Sequence, residues 1–229
     1  MQRSPEPELM NAPDQVIAYS DADFSCGDHS VIERLSQLME QALPVLPEAA
    51  LILDLGCGPG NISERLAVRW PLSNVIGLDG ASSMIEMANQ RLSDVCPAIK
   101  NLSYLLVDLS QCCLGDIHQI HGASVIVSNS LLHHLHNPQM LWTSVKQLAE
   151  PNALILHRDL RRPSNDQEVD ALCAHYVSHA PTVLQRDFRA SLFAAFTTDE
   201  VRDQLDQAGL GHFTVTEIGD RYLEVCGQM

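Results

Sequence analysis

The chain has 229 residues and a formal net charge of −15, enough length for one α/β domain whose core needs neither disulfide nor metal. An acidic chain with no basic cluster is not expected to bind nucleic acid or an anionic membrane surface, because lysine and arginine contacts to phosphate supply much of the affinity for either. No apolar run reaches the roughly 18 residues of a membrane span, Met1 to Pro13 lacks the basic-then-apolar pattern of a signal peptide, and the seven cysteines contain no C-x-x-C pair, so a cytoplasmic protein with reduced thiols is expected.

Met1 to Pro13 is polar and proline-bearing and reads as a flexible arm ahead of a single domain over residues 14–229. Within residues 14–47, a helical lid region, apolar positions recur at helical spacing from Val31 to Leu43, and Pro44 and Pro47 end that helix. Ala50 to Leu55 is a short continuous apolar run, as expected of a strand buried on both faces, and it stops at Gly56-Cys57-Gly58-Pro59-Gly60. A helix from Asn61 to Trp70 follows. The alternation then repeats: a strand at Val75 to Leu78 ending in Asp79, a helix at Ser82 to Leu92, a strand at Leu102 to Val107 ending in Asp108. The adjacent Cys112 and Cys113 are poorly placed for a structural bridge. A strand at Val125 to Val127 ends in Ser128-Asn129, a helix covers Pro138 to Ala149, and a strand covers Ala153 to Leu156. Alternating strands and helices imply a doubly wound, mostly parallel sheet.

After the fifth strand, residues 163–197 form a helical insertion, with helices at Asp166 to His179 and Val183 to Phe196. Thr197-x-x-Glu200 is a capping box that opens another helix, and Gly209 is placed to stop it. The final strands, Phe213 to Ile218 and Tyr222 to Val225, are joined by too few residues for a crossover, so they pair as an antiparallel hairpin. The expected fold is α/β and Rossmann-like: seven strands, mostly parallel, closed by that hairpin.

Ligands of an open α/β sheet sit at the carboxyl ends of the strands. At the end of the first strand, glycines allow a tight turn and close approach of the backbone, and the following helix N-terminus presents N–H groups. The spacing is G-x-G-x-G, not the G-x-G-x-x-G of dinucleotide binders. Asp79 is placed to accept from both hydroxyls of a ribose, and Asp108 from the exocyclic amine of a base. This acidic surround suits a cationic nucleoside and repels a phosphate-rich one.

Leu53-Asp54-Leu55-Gly56-Cys57-Gly58-Pro59-Gly60, then Gly77-Leu78-Asp79, Val107-Asp108-Leu109 and Ser128-Asn129-Ser130-Leu131-Leu132-His133-His134-Leu135 together resemble the class I S-adenosylmethionine-dependent methyltransferases. The resemblance is strong over residues 50 to 157 and extends to the terminal hairpin. It implies S-adenosylmethionine as cofactor. Gly56 and Gly58 then lie against it with Asp54 below them near its methionine part, and Asp79 holds the ribose beside Gly80, Ser82 and Met84. Asp108 and Leu109 frame the adenine, and Ser128, Asn129 and Ser130 adjoin. Many members carry a serine near the ribose acid where this chain has Gly80-Ala81-Ser82. Tyr19 to Phe24 falls where the family often places a lid helix, so Tyr19 joins the candidate catalytic residues.

His133 and His134 follow the fourth strand at the rim of the expected site and are candidate general bases, since histidine titrates near neutrality; packing or capping a turn is the plainer role. With His136 they suggest no metal site, because adjacent residues rarely converge on one ion and no carboxylate or cysteine stands at ligand spacing. His175 and His179 share a helix face without a third ligand. Arg158 and Asp159, with Arg161 and Arg162, follow the fifth strand; they would clamp an anionic group of the acceptor or form a surface salt-bridge cluster. Tyr176, Phe188, Phe193 and Phe196 of the insertion are candidates to line the acceptor pocket, and Arg221 and Tyr222 for oligomer contacts. The expected activity is methyl transfer to a small molecule at O, N, S or C. The alternatives are an RNA or protein methyltransferase, a non-catalytic module that binds S-adenosylmethionine, and a nicotinamide-dependent oxidoreductase, which the glycine spacing disfavours.

Overall fold

The strand at Leu51–Leu55 (β1) shows why the sheet is buried on both faces: Leu53 and Leu55 enter one apolar cluster and Ile52 the other, as the two-residue period of a strand requires. The structure, a computed structural model, describes residues 1–42, 46–95, 98–110 and 120–229. Before β1 lie helices α1 (Pro13–Asp21) and α2 (Ser25–Ala42); after it the chain alternates α3 (Asn61–Arg69), β2 (Asn74–Asp79), α4 (Ser82–Asp94), β3 (Leu102–Leu106) and β4 (Ala123–Asn129). A 3₁₀ turn at Leu132–His134 leads to α5 (Gln139–Leu148) and β5 (Ala149–Leu160); then come α6 (Asp166–Tyr176), α7 (Thr182–Ala194), α8 (Thr198–Ala208), β6 (Thr214–Ile218) and β7 (Tyr222–Gln228).

The seven strands lie in the order β3-β2-β1-β4-β5-β7-β6. All neighbours are parallel except β7, which runs antiparallel to β5 and to β6. The order reverses between β1 and β4, and such a reversal opens a crevice at the strand ends. In β4, Ile126 joins the cluster of Leu53 while Val125 and Val127 join that of Ile52; β5 repeats the alternation with Ile155 against Leu154 and Leu156. Trp142 of α5 is fully buried, and its indole N–H donates to Gln204 of α8 at 3.1 Å.

Most expected elements differ from the observed ones only at their ends, but three differences matter for the site. The second helix begins at Ser25, not Val31: its first turns carry Ser25, Asp28 and Ser30 and have no apolar period to announce them, while Asp23 Oδ1 accepts from the Ser25 N–H at 2.9 Å. Leu43 and Pro44, read as its end, lie outside the described residues, as do Cys112 and Cys113. The fifth strand does not stop at Leu156 but runs to Leu160, because β7 pairs along it as far as Leu160↔Tyr222. Finally, the segment read as an arm ahead of the fold lies against it. Arg3 donates from Nε to the Ala194 carbonyl at 2.6 Å and from Nη2 to those of His133 and Leu135 at 2.9 and 3.2 Å. Its guanidinium stands 4.0 Å over the Phe196 ring.

The capping box is formed at both halves: the Glu200 N–H donates to Thr197 Oγ1 at 3.3 Å and the Thr197 N–H to Glu200 Oε2 at 2.8 Å. Gly209, at φ 74°, closes the same helix in the left-handed region. Thr197→Ala should therefore cost about 1 kcal/mol of unfolding free energy in urea titration. Because the same Glu200 also accepts from Arg162, two residues past the end of β5, at 2.6 Å, a loss several times larger would mean that the box also fixes the insertion.

Candidate active site

Three glycines turn the chain at the end of β1. Gly56, Gly58 and Gly60 have φ of 71°, 53° and 93°, conformations that cost a side-chain-bearing residue energy. The loop is tied to β2 by the N–H groups of Gly56 and Cys57, which both donate to the Leu78 carbonyl at 2.8 and 3.0 Å. A Cβ on Gly58 would meet nothing within 4 Å, so its backbone lies open to a cavity of about 620 Å³ at the strand ends. That volume is in the range of small-molecule sites.

Asp79, at the end of β2, faces this cavity and is organised by backbone: Oδ2 accepts from the Gly58 N–H and Oδ1 from the Ala81 N–H, each at 2.8 Å. Burial pushes its carboxyl above the usual range, and the backbone donors oppose that. Asp108 lies on the same wall and accepts from Ser110 N and Oγ at 2.9 and 2.7 Å. Asp54 lies deeper. Burial pushes it up to about 7 against the Ser63 hydroxyl, which donates to it at 2.6 Å. Gly56, Gly80, Met84, Leu109, Asn129 and Ser130 also stand on the wall. Ser82 and Ser128 do not: Ser128 is buried within β4 with its hydroxyl unpartnered. At Gly80 a Cβ would come within 2.8 Å of Leu9 Cδ2 and 3.2 Å of the Asp108 Cα, so the N-terminal segment packs directly over the second strand's end.

His133 and His134 reach the cavity from the 3₁₀ turn, where the Nδ1 of His133 is committed to a hydrogen bond and that of His134 has no hydrogen-bond partner among the described residues. The Nδ1 of His133 donates to Asp159 Oδ1, its backbone N–H donates to Asp159 Oδ2 at 3.2 Å, and its Nε2 stands 3.4 Å from Glu6 Oε1. Burial lowers the pKa of His133, but Asp159 and Glu6 outweigh it and raise it overall; burial raises that of Asp159, but the imidazole outweighs it and holds the carboxyl below the usual range. His134 is pushed down to about 3 by burial and by His133, and its Nδ1 lies 3.3 Å from the same Glu6 oxygen. His157, on the face of β5 that carries Asp159, is held down to about 4 by burial; its ring meets Trp142 edge-on. Tyr19 is on the wall with Phe24, 5.7 Å away ring to ring, and burial raises its phenol well above the ordinary value.

Arg158 and Asp159 part company, contrary to the expectation that both bind acceptor from a loop. They are consecutive residues of a strand and so point to opposite faces. Arg158 lines the cavity, yet its Nη2 donates to Glu224 Oε2 at 2.7 Å and its Nη1 to Ser30 Oγ at 3.0 Å; Asp159 is committed to His133. Nor are Arg158 and Arg162 a surface cluster, since both are buried. Tyr176 and Phe188 line the cavity, whereas Phe193 packs in the small core of the insertion and Phe196 under Arg3. Arg221 lies 3.4 Å from the Tyr176 ring and 4.5 Å from that of Tyr222, and all three face the cavity.

Among the wall residues missed by sequence reading are Cys26, Gly27, Asp28 and Ser30 at the start of α2 and, from the N-terminal segment, Glu8, Leu9 and Met10, while Glu6 meets the histidines. No local pattern marks them, because each acts through a contact more than a hundred residues away in the chain or through packing.

A sequence model of the Methyltransferase domain family matches residues 28–213. Trans-aconitate 2-methyltransferase of Variovorax paradoxus (strain S110) is 53% identical over 47 residues, 20% of this chain and 18% of that protein, so the matched segment spans under a fifth of its relative. Among solved structures, the plantazolicin methyltransferase BpumL in complex with a pentazolic desmethylPZN analog and SAH is similar with a TM-score of 0.72, at 15% identity over 94% of this chain and 91% of that one. A SAM dependent methyltransferase from Aquifex aeolicus aligns with a TM-score of 0.59 at 18% identity, covering 84% and 88%. The strand order and the antiparallel β7 are those of this fold.

His157 gives a pH signature. Its folded pKa of about 4 lies below the unfolded value of about 6.5, so between these limits the unfolded chain binds the extra proton and this residue's contribution to stability falls as pH falls. In urea titrations across that window, His157→Leu should flatten the slope of unfolding free energy against pH by up to about 1.4 kcal/mol per unit relative to wild type. Equal slopes would mean that the imidazole is charged in the folded protein.

Proposed function

The chain belongs to the methyltransferase-domain family, and on that premise we propose that it transfers the methyl group of S-adenosylmethionine to a small-molecule acceptor, at O, N, S or C. The observation that carries this reading is that one cavity of about 620 Å³ joins the strand-end residues Gly58, Asp79 and Asp108 to a wall built by Tyr19, His133, Arg158, Tyr176 and Phe188. The residues present fit the donor. The open backbone at Gly58 allows close approach, the Asp79 carboxylate is already oriented by two N–H groups, and the site's carboxylates favour a cation. When bound, the donor supplies a methyl group activated by its sulfonium.

The rest falls to the chain's own side chains. Asp79 would accept from the ribose hydroxyls, with Gly80 and Met84 beside it, while Asp108 and Leu109 would frame the adenine and Asp54, Gly56, Asn129 and Ser130 would bound the remainder. Ser82 and Ser128, off the wall, would act only by supporting their neighbours. Orientation of the acceptor lowers the barrier by several kcal/mol. Where the acceptor must lose a proton, His133 is the base: Asp159 holds its Nδ1–H, so the proton arrives at Nε2 and the buried carboxylate stabilises the imidazolium. Tyr19 keeps its proton and can donate to the acceptor. Arg158 and Tyr176 would shape the acceptor end of the cavity. The strongly negative chain, and Leu9 and Met10 packed at the cavity's edge, support a small acceptor over a nucleic acid.

Asp79→Ala removes two charge-assisted hydrogen bonds to the ribose, each worth roughly 1.5–3 kcal/mol and not additive, so S-adenosylhomocysteine should bind on the order of 10²-fold more weakly by calorimetry. Affinity within about twofold of wild type would remove Asp79 from the cofactor site. A screen of small metabolites, peptides and RNA for release of S-adenosylhomocysteine tests the acceptor class, and turnover confined to peptide or RNA overturns the small-molecule reading. On an oxygen or nitrogen acceptor, His133→Gln should slow turnover about 10²–10⁴-fold with cofactor affinity unchanged; a parallel fall in both would show a structural role.

A further inference from the structure

The N-terminal segment brings a carboxylate to two histidines that sequence spacing left without a partner. Glu6 Oε1 stands 3.4 Å from His133 Nε2 and 3.3 Å from His134 Nδ1, and the three ligand atoms lie within 4.8 Å of one another. These separations are long for hydrogen bonds, which cluster near about 2.9 Å. They match the edge of a tetrahedron around an ion: ligands about 2.0–2.1 Å from a tetrahedral zinc stand about 3.3–3.4 Å apart. We propose that Glu6, His133 and His134 form a binding site for a divalent transition-metal ion of the zinc class, with its fourth position toward the cavity.

Three further features favour a ligand set over a packing accident. The Nδ1 of His134 is buried with no hydrogen-bond partner, an expensive state that a ligand relieves. The opposite nitrogen of His133 is held by Asp159, the carboxylate–histidine arrangement that orients metal ligands and raises their basicity. Glu6 and Asp159 together offset the charge of a divalent ion. Ser191 Oγ donates to Glu6 Oε1 at 2.9 Å, which orients the carboxylate, and His136 Nε2 donates to the main-chain carbonyl of Glu6 at 2.8 Å, which fixes the backbone of the segment. An ion here would pin the N-terminal segment to the turn after β4. It would also occupy the nitrogen assigned above to the acceptor's proton, so the loaded and proton-accepting states exclude each other. The site itself stands whatever the acceptor is.

The test is titration of the untagged full chain with Co²⁺, followed by calorimetry and by the absorption of tetrahedral Co²⁺, then displacement with Zn²⁺. One ion per chain is expected, with a rise in Tm by mass action. Glu6→Gln and His134→Ala should each weaken binding at least about tenfold, while a His175→Ala, His179→Ala double variant, in the last turn of α6 and the turn after it, should not. Melting and S-adenosylhomocysteine binding of the metal-free variants separate loss of the site from loss of the fold, and either variant alone suffices if the other fails to fold. No binding at excess Co²⁺, or binding that ignores both Glu6 and His134, overturns the proposal.

Discussion

A strand covered by apolar layers on both faces has no solvent-facing side on which to place a polar residue. That constraint governs β1, β4 and β5. Apart from Ser124 of β4 and Glu150 and Asn152 at the amino end of β5, their polar residues collect at or next to the carboxyl ends, where the reversal of strand order opens the sheet and the cavity forms. Where β5 carries charge before its end, each charge has to be answered inside the protein. Arg158 is met by Glu224, which is fully buried on β7 and also takes Arg34 of α2 at 2.7 Å. Asp159 is met by His133. A buried ion that loses its partner is strongly destabilising, so the pairings on the two faces of β5 constrain β7, α2 and the turn after β4 together.

This constraint also separates what was readable in the sequence from what was not. Apolar runs closed by Gly56 to Gly60, Asp79 and Asp108 announce themselves, because burial on both faces leaves a run without polar breaks and a ligand site leaves a break rich in glycine and acid. The capping box is local and equally plain. The far half of β5 defeats the same logic: His157, Arg158 and Asp159 look like a loop because an isolated strand would not bury them, and the antiparallel partner β7, whose Glu224 lies 66 residues beyond Arg158, makes the burial tolerable. The start of α2 is hidden for the converse reason, since its first turns face the cavity and carry polar residues where an amphipathic helix would show its stripe.

The N-terminal segment is the extreme case. Nothing in its composition separates it from a disordered tail, and all of its order comes from contacts with the turn after β4, the insertion and the edge of α4. Arg3 donates to the carbonyls of the buried residues His133, Leu135 and Ala194, and Glu6 reaches the histidines from the same stretch. The segment is thereby a wall of the cavity without a core of its own.

The contact at Gly80 carries this into variation among relatives. A side chain at position 80 needs the space that Leu9 fills, so each residue limits what the other can be. A chain with serine or alanine at position 80 must turn the residue 9 side chain aside or carry a smaller one there, and either change would redraw the cavity's rim. Positions 9 and 80 should accordingly be inherited as a pair, and relatives that differ there would be expected to differ in the shape of molecule they admit, even with the ribose acid and the glycine loop unchanged.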